Sequence, residues 1–220
     1  MWDIFIEYFL GAGLLWSGIG CTLLLSAIAV VAGTLIGSLM ALGKRSKFKP
    51  LYYLITAVVE VLRGTPALLQ LTIAYFIIPM ILNMPGLSPF TCVAIALSLN
   101  SAAYVSEIIR SGIEAVDKGQ TEAARSLGLT NKTTMLKIVL PQAVKNILPA
   151  LGNEFITVIK ETSLASTFYV GELMTTYAII RGVTFLAIPT LMDVGIFYFV
   201  LTFSLSKLLG VFERRMKKRA

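Results

Sequence analysis

The chain has 220 residues, of which 56% are hydrophobic and only 14% charged, with a formal net charge of +7; its mean hydropathy is +0.81 and its pI is near 9.5. A soluble domain carries far more charge, so this composition belongs to an integral membrane protein, and the excess of Lys and Arg reads as a positive-inside bias rather than a nucleic-acid footprint. With no histidine and only Cys21 and Cys92, set in separate apolar segments as small packing or lipid-facing residues, the chain offers neither a disulfide framework nor a Cys/His metal site.

A membrane-spanning helix needs about 20 consecutive, mostly apolar residues. Five segments qualify. The first, residues 19–42, is uncharged and carries Gly33 and Gly37 in GxxxG spacing, for which close packing within the subunit is favoured over a dimer seam. Lys44, Arg45, Lys47 and Lys49 follow and mark the cytoplasmic side, which places the amino-terminal segment, with Asp3 and Glu7, outside. That segment lacks the cationic stretch of a signal peptide, so the first span is expected to persist in the mature protein.

The second apolar region opens at Leu51 and is interrupted from Glu60 to Pro66. Thr65 as an N-cap and Pro66 at the first helical position predict a fresh helix start. The second span is therefore placed at 66–82, with 51–62 as its cytoplasmic approach or tilted extension. Asn83, Pro85, Gly86, Ser88 and Pro89 form an outer turn before a third span at 90–109. At its inner end Glu107 and Arg110, three residues apart, are spaced to pair on one helical face. Ser98, Asn100 and Ser101 sit nearer mid-membrane, where they either bond a neighbouring helix or line a pathway.

Residues 110–145 include Arg110, Glu114, Asp117, Lys118, Glu122, Arg125, Lys132, Lys137 and Lys145. Each charge at the bilayer centre costs roughly 2.5 to 3.5 kcal/mol, so this is a long cytoplasmic loop on which a soluble partner is expected to dock. The fourth span, 146–168, is the least apolar and contains Asn153, Glu154, Lys160 and Glu161. Glu154 and Glu161, two turns apart, share nearly one stripe, and Pro149 is a point of bending. Residues 168–187, with Glu172, Tyr177 and Arg181, are placed outside. A fifth span at 188–211 runs into the basic tail from Glu213 to Arg219. This topology puts every Lys and Arg inside except Lys160 and Arg181. The chain reads as an all-α, polytopic bundle of five transmembrane helices, amino terminus outside and carboxyl terminus cytoplasmic.

Within the loop stands one constellation: Glu122, Ala123, Ala124, then Gly128 after three residues, and Ile138, Leu140 and Pro141 further on. A short helix with alanines and a following glycine offers a low-relief surface and a sharp turn, with Glu122 and Arg125 as polar contacts at its edge. The spacing resembles the cytoplasmic loop of importer-type ABC transporter permeases. Glu60-Val61-Leu62-Arg63-Gly64-Thr65-Pro66-Ala67-Leu68-Leu69-Gln70, Leu99 to Tyr104, Lys118-Gly119-Gln120, Leu148 to Asn153 and Lys160 to Leu164 are similar to the polar amino acid branch of those permeases, over about residues 15–215.

That resemblance implies a permease working with a second copy or a sister permease, two ABC ATPase subunits gripping the coupling helix around Glu122 to Gly128, and an extracytoplasmic amino-acid-binding protein, all at a bacterial inner membrane. No Gly-rich phosphate loop ending in Lys-Ser or Lys-Thr is present, so ATP and Mg belong to the partners, this chain binds no cofactor, and it is not itself an enzyme. The resemblance also points to the third and fourth spans for a substrate site, with Asn100, Ser101, Glu161, Ser163 and Leu164 as candidates. Glu161 either holds a substrate ammonium or basic side chain, or pairs with Lys160 or Arg110. Arg63, Glu107, Arg110, Glu154 and Lys160 are gating or packing candidates. The particular amino acid, whether basic, glutamine or glutamate, or cystine, is open, as is homodimer against heterodimer. The rival reading, an autonomous secondary transporter or channel for small polar solutes, would need no such coupling loop and commonly shows a repeat.

Overall fold

A computed structural model describes Glu7 and residues 13–217; Asp3 and the Lys218 and Arg219 of the basic tail lie outside the described residues. The described residues form helices α1 (Leu14–Gly43), α2 (Lys49–Gly64), α3 (Ala67–Ile81), α4 (Pro89–Glu114), α5 (Lys118–Ser126) and α6 (Asn131–Thr134), then a π turn (Met135–Val139), α7 (Leu140–Glu161), a 3-10 helix (Thr162–Phe168), α8 (Leu173–Thr184) and α9 (Ala187–Lys217). No strand occurs among them.

Helices α1, α4 and α9 are each long and apolar enough to cross a membrane, and α2 with α3 qualifies only as a pair bent by 111°. The bend explains why residues 51–66 read as an interrupted apolar run: two helices meet there. Thr65 does not cap the second one, as its position before Pro66 suggested. Pro66 itself occupies the N-cap of α3 without a side-chain bond, while the Thr65 hydroxyl turns back to donate to the Val61 carbonyl at 2.8 Å. The third helix runs past Ile109 to Glu114. Its start is fixed by Ser88, whose hydroxyl accepts from the Thr91 amide at 3.2 Å, with Pro89 in the first turn. The segment before residue 146 is itself largely helical, and α7 begins at Leu140.

The bundle is organised around α4, which packs against α1, α2, α3 and α7. Its closest approach is to α1, and the glycines explain it. A Cβ at Gly33 would lie 2.8 Å from the Cβ of Ser101, and one at Gly37 would lie 2.6 Å from the Ala102 carbonyl oxygen. The GxxxG pair is thus spent within the subunit, where hydrogen-sized side chains let two helix backbones meet. Leu25 and Ala29 of α1, Leu71 of α3, Val93 and Leu97 of α4 and Val158 of α7 form the main core. A second cluster, Leu15, Leu173, Ile180 and Val194, ties α1 to α8 and α9.

Glu172, in the segment placed on the outer side of the membrane, is fully buried within the protein. Its carboxylate caps α8 by accepting from the amides of Met174 (2.5 Å) and Thr175 (2.7 Å), and it also accepts from the Thr175 hydroxyl (2.8 Å) and the Tyr198 hydroxyl (3.1 Å). Thr22 Oγ1 accepts from the Leu173 amide at 3.1 Å, joining α1 to the same cap. Four donors converge on one carboxylate, which is how a buried acid is made tolerable. Tyr177 and Arg181 of α8 stack as a cation–π pair, 5.4 Å from guanidinium to ring centroid.

Candidate docking helix and membrane polar sites

The motif between Glu122 and Pro141 folds into a compact unit. Asp117 Oδ1 accepts from the Gly119 amide at 2.7 Å and opens α5. The helix stops at Gly128, whose φ is +82°. Gly128 N donates to the Arg125 carbonyl at 2.9 Å and Leu129 N to the Ala124 carbonyl at 3.1 Å, the double closure that a left-handed residue after a helix provides. Glycine reaches that conformation without the steric penalty of a Cβ. Thr130 then caps α6 by accepting from the Thr133 amide at 3.2 Å, and the Arg125 guanidinium donates to the Asn131 side-chain oxygen, locking the turn.

Glu122 and Ala123 are exposed, but Ala124 is the one buried residue of α5. It lies on the side where α5 rests on α6 and the π turn. The two alanines therefore do different things: Ala123 is presented outward, while Ala124 seats the helix. Leu127 is 82% exposed and Leu136 51% exposed, so the unit shows apolar side chains beside its charges. Ile138 and Leu140 are half-buried and Pro141 is exposed. Gln142 Nε2 donates to the Ile138 carbonyl at 2.9 Å and to Gln120 Oε1 at 3.3 Å, tying the root of α7 to α5.

At the foot of α4, Glu107 gathers three cations. Lys44 Nζ lies 2.6 Å from Oε1, Arg110 Nη2 2.8 Å from Oε2 and Arg63 Nη1 3.7 Å from Oε2. Arg110 also holds Glu114 at 2.6 Å. The Glu107–Arg110 spacing is legible in sequence, but the other partners come from the end of α1 and from the α2–α3 break, which no local spacing reveals. Arg63 additionally stands 5.6 Å from the Tyr104 ring centroid.

Higher in the bundle, Asn100 and Ser101 are buried and each bonds a neighbouring helix. Asn100 Nδ2 donates to Gln70 Oε1 at 2.9 Å, and Ser101 Oγ donates to Glu154 Oε1 at 3.0 Å. Ser98 bonds only its own helix, donating to the Ala94 carbonyl at 2.6 Å. Glu154 is 9% exposed, its carboxylate held by Ser101. Glu161 is half-buried and makes no hydrogen bond or ion pair among the described residues, with Arg110 committed to Glu107 and Glu114. Lys160 is exposed; Ser163 is half-buried and donates to the Lys160 carbonyl at 2.7 Å. Leu164 packs on the main core. Gln70, the last residue of the Glu60–Gln70 segment, carries a structural role that the resemblance did not assign to it. A lone amide in an otherwise apolar run was the available signal.

The described residues form a helical bundle with membrane-length apolar helices and, at one end, a short, doubly capped helix with exposed alanine, leucine and acid side chains. The chain belongs to the family described as binding-protein-dependent transport system inner membrane component, which matches residues 33–218. It is a multi-pass permease subunit of an ABC importer in the bacterial inner membrane. Among its relatives, the arginine transport system permease protein ArtQ of Bacillus subtilis (strain 168) is 40% identical over 200 residues, 91% of each chain. The putative glutamine transport system permease protein GlnP of Rickettsia conorii (strain ATCC VR-613 / Malish 7) is 38% identical over 98% of this chain and 99% of its own. The L-cystine transport system permease protein TcyB of Bacillus subtilis (strain 168) is 37% identical over 99% of this chain and 92% of its own. A solved structure described as an amino acid ABC transporter with histidines superposes with a TM-score of 0.89 at 46% identity, covering 93% of this chain and 94% of that one. The MetNI methionine ABC transporter, in an inward-facing form, shares the fold with a TM-score of 0.73 at 17% identity, over 92% and 96% of the two chains.

Proposed function

We propose that this permease imports polar amino acids by alternating access. Two ABC ATPase subunits bind and hydrolyse ATP with Mg, an extracytoplasmic binding protein delivers the amino acid, and a second copy or a sister permease completes the pathway. The observation that carries the reading is α5: a helix held by its own caps, almost wholly exposed, and joined to the foot of α4 through only Ala115 to Asp117. Such an element transmits a push from a partner to the bundle without unfolding. The names of the relatives support the substrate class, since they span arginine, glutamine and cystine.

In this reading the five spans are α1, the bent α2–α3 pair, α4, α7 and α9, corresponding to 19–42, 66–82, 90–109, 146–168 and 188–211. Residues 110–145 form the cytoplasmic coupling region, the amino terminus is outside and the carboxyl terminus inside. Support comes from the charges: Lys44, Arg45, Lys47, Lys49 and the α5 region fall at one end of the bundle. At about 1.5 Å per residue, α7 is long enough to cross, and its buried Glu154 faces protein rather than lipid.

Asn100, Ser101 and Glu161, with Ser163 and Leu164 beside them, are the proposed substrate contacts. Glu161 has an unspent carboxylate suited to an ammonium or guanidinium. Asn100 and Ser101 are engaged with Gln70 and Glu154 here, so a ligand reaches them by exchanging those bonds. The test is uptake into liposomes by the complex with its ATPase and binding protein: Glu161→Gln should weaken import of a basic amino acid more than that of a neutral one, whereas equal effects would return Glu161 to packing.

A further inference from the structure

Helix α2 is amphipathic, and it turns its polar stripe inward. Tyr53, Leu54, Val58 and Val61 are exposed on one side, whereas Tyr52, Thr56, Glu60 and Arg63 all line one cavity of about 850 Å³ bounded by α1, α2, α4 and α7. Steps of four, four and three residues keep these four on a single helical face. A helix on a soluble protein buries its apolar stripe. Within a bilayer the reverse arrangement serves a water-filled vestibule, with the apolar side left for lipid.

The charges around the vestibule sort into those already matched and those that are not. Lys44, Glu107, Arg110 and Glu114 satisfy one another. Glu60 makes no hydrogen bond or ion pair among the described residues, although Arg63 is one turn away on the same face. Arg63 reaches Glu107 only at 3.7 Å and keeps 42% of its side chain exposed. Thr56 Oγ1, in the same wall, is buried without a partner. One helix face thus offers a free carboxylate, a loosely held guanidinium and an unpaired hydroxyl. Side chains three apart have Cβ atoms about 5 to 6 Å from each other, close enough to take the two charged ends of one small molecule. An anionic lipid headgroup would meet Glu60, and a simple cation would meet Arg63 and the exposed Arg45.

We infer that this vestibule is a recognition site for a free α-amino acid, with Glu60 holding its ammonium and Arg63 its carboxylate. The inference rests on the amino acid importer reading and places the site at the coupling-helix end, apart from Asn100 and Glu161. An amino acid that accumulates on that side occupies the vestibule and stabilises the conformation described here. By linkage, any step that closes the vestibule then weakens as the amino acid builds up.

The test uses the complete complex with its ATPase subunits in nanodiscs, with Cys21→Ser and Cys92→Ser and a single reporter, Ser38→Cys, on the α1 wall of the vestibule. The probe is whichever polar amino acid stimulates ATP hydrolysis by the unmutated complex with its binding protein. It should slow labelling of the reporter by a small hydrophilic thiol reagent severalfold. Glu60→Gln should raise the concentration giving half-protection by about tenfold or more, the loss that follows when one partner of a charged contact is removed. On the reporter chain with Glu60 and Arg63 intact, the decarboxylated amine and the N-acetylated acid should each fail to protect, a readout that needs no further variant. No protection by an amino acid that does stimulate hydrolysis, or protection equal in Glu60→Gln and with both analogues, overturns the site while leaving the importer reading standing. Failure of every amino acid to stimulate the unmutated complex overturns both.

Discussion

The Asn100 side-chain amide donates to Gln70 Oε1 at 2.9 Å, and Gln70 Nε2 in turn donates to the carbonyls of Leu62 at 2.7 Å and Thr65 at 3.1 Å. One amide therefore closes the bend between α2 and α3 and fastens it to α4. A helix break leaves carbonyls without intrahelical donors, and Gln70 supplies their partner.

Gln70→Leu, close in size but without polar atoms, should strand Asn100 and those carbonyls. The expected cost is about 1 to 3 kcal/mol. It should appear as a lower melting temperature of the purified permease and faster proteolysis between Leu62 and Pro66. Gln70→Glu keeps the acceptor for Asn100 but sets a carboxylate oxygen against the two carbonyls, and should cost at least as much.

Gly37→Ala should destabilise the α1–α4 contact by about 1 to 3 kcal/mol, because the added methyl meets backbone that cannot move aside. Gly20→Ala, on the same helix with nothing within 4 Å of the added Cβ, is the control and should be neutral or slightly stabilising. Thermal denaturation in one detergent compares the two directly.

Glu107→Gln removes the anion shared by Lys44, Arg63 and Arg110. With 16% of its side chain exposed, it should cost about 1.5 to 3 kcal/mol. Glu114→Gln, at 62% exposure, should cost no more than about 1 kcal/mol. Equal losses in the two melting curves would contradict Glu107 as the hub of the cluster.

The contrast between these residues shows what the sequence made legible. Features set by neighbours along the chain could be read: the interruption before Pro66, the Glu107–Arg110 spacing, the glycine pair of α1 and the motif ending at Gly128. Features set by residues far apart could not. Nothing beside Glu172 in the chain marks it as a buried cap, because its donors include Tyr198, twenty-six positions on. Ser101 meets Glu154 across 53 positions and Asn100 meets Gln70 across 30. Ala124 looked identical in role to Ala123 because sequence does not say which side of α5 the π turn will cover. The π turn itself, followed by Pro141 in the first turn of α7, left no signal that separated it from ordinary helix.

Gly128→Val forces a β-branched side chain into a left-handed conformation at φ +82°. The double cap of α5 should open and the docking surface lose its shape. Uptake driven by the complex should fall by an order of magnitude or more relative to the ATP hydrolysed, while the melting of the bundle moves little, since α5 packs only at one edge. Uptake per ATP equal to that of the unmutated chain would reject the role given to α5.

The most direct measurement is ATP hydrolysis by the permease reconstituted in liposomes with its ATPase, as binding proteins and polar amino acids are added in turn. The account predicts that one amino acid with one binding protein stimulates hydrolysis and that Gly128→Val abolishes the stimulation. Failure of any ATPase to associate with a chain whose α5 is intact would contradict it.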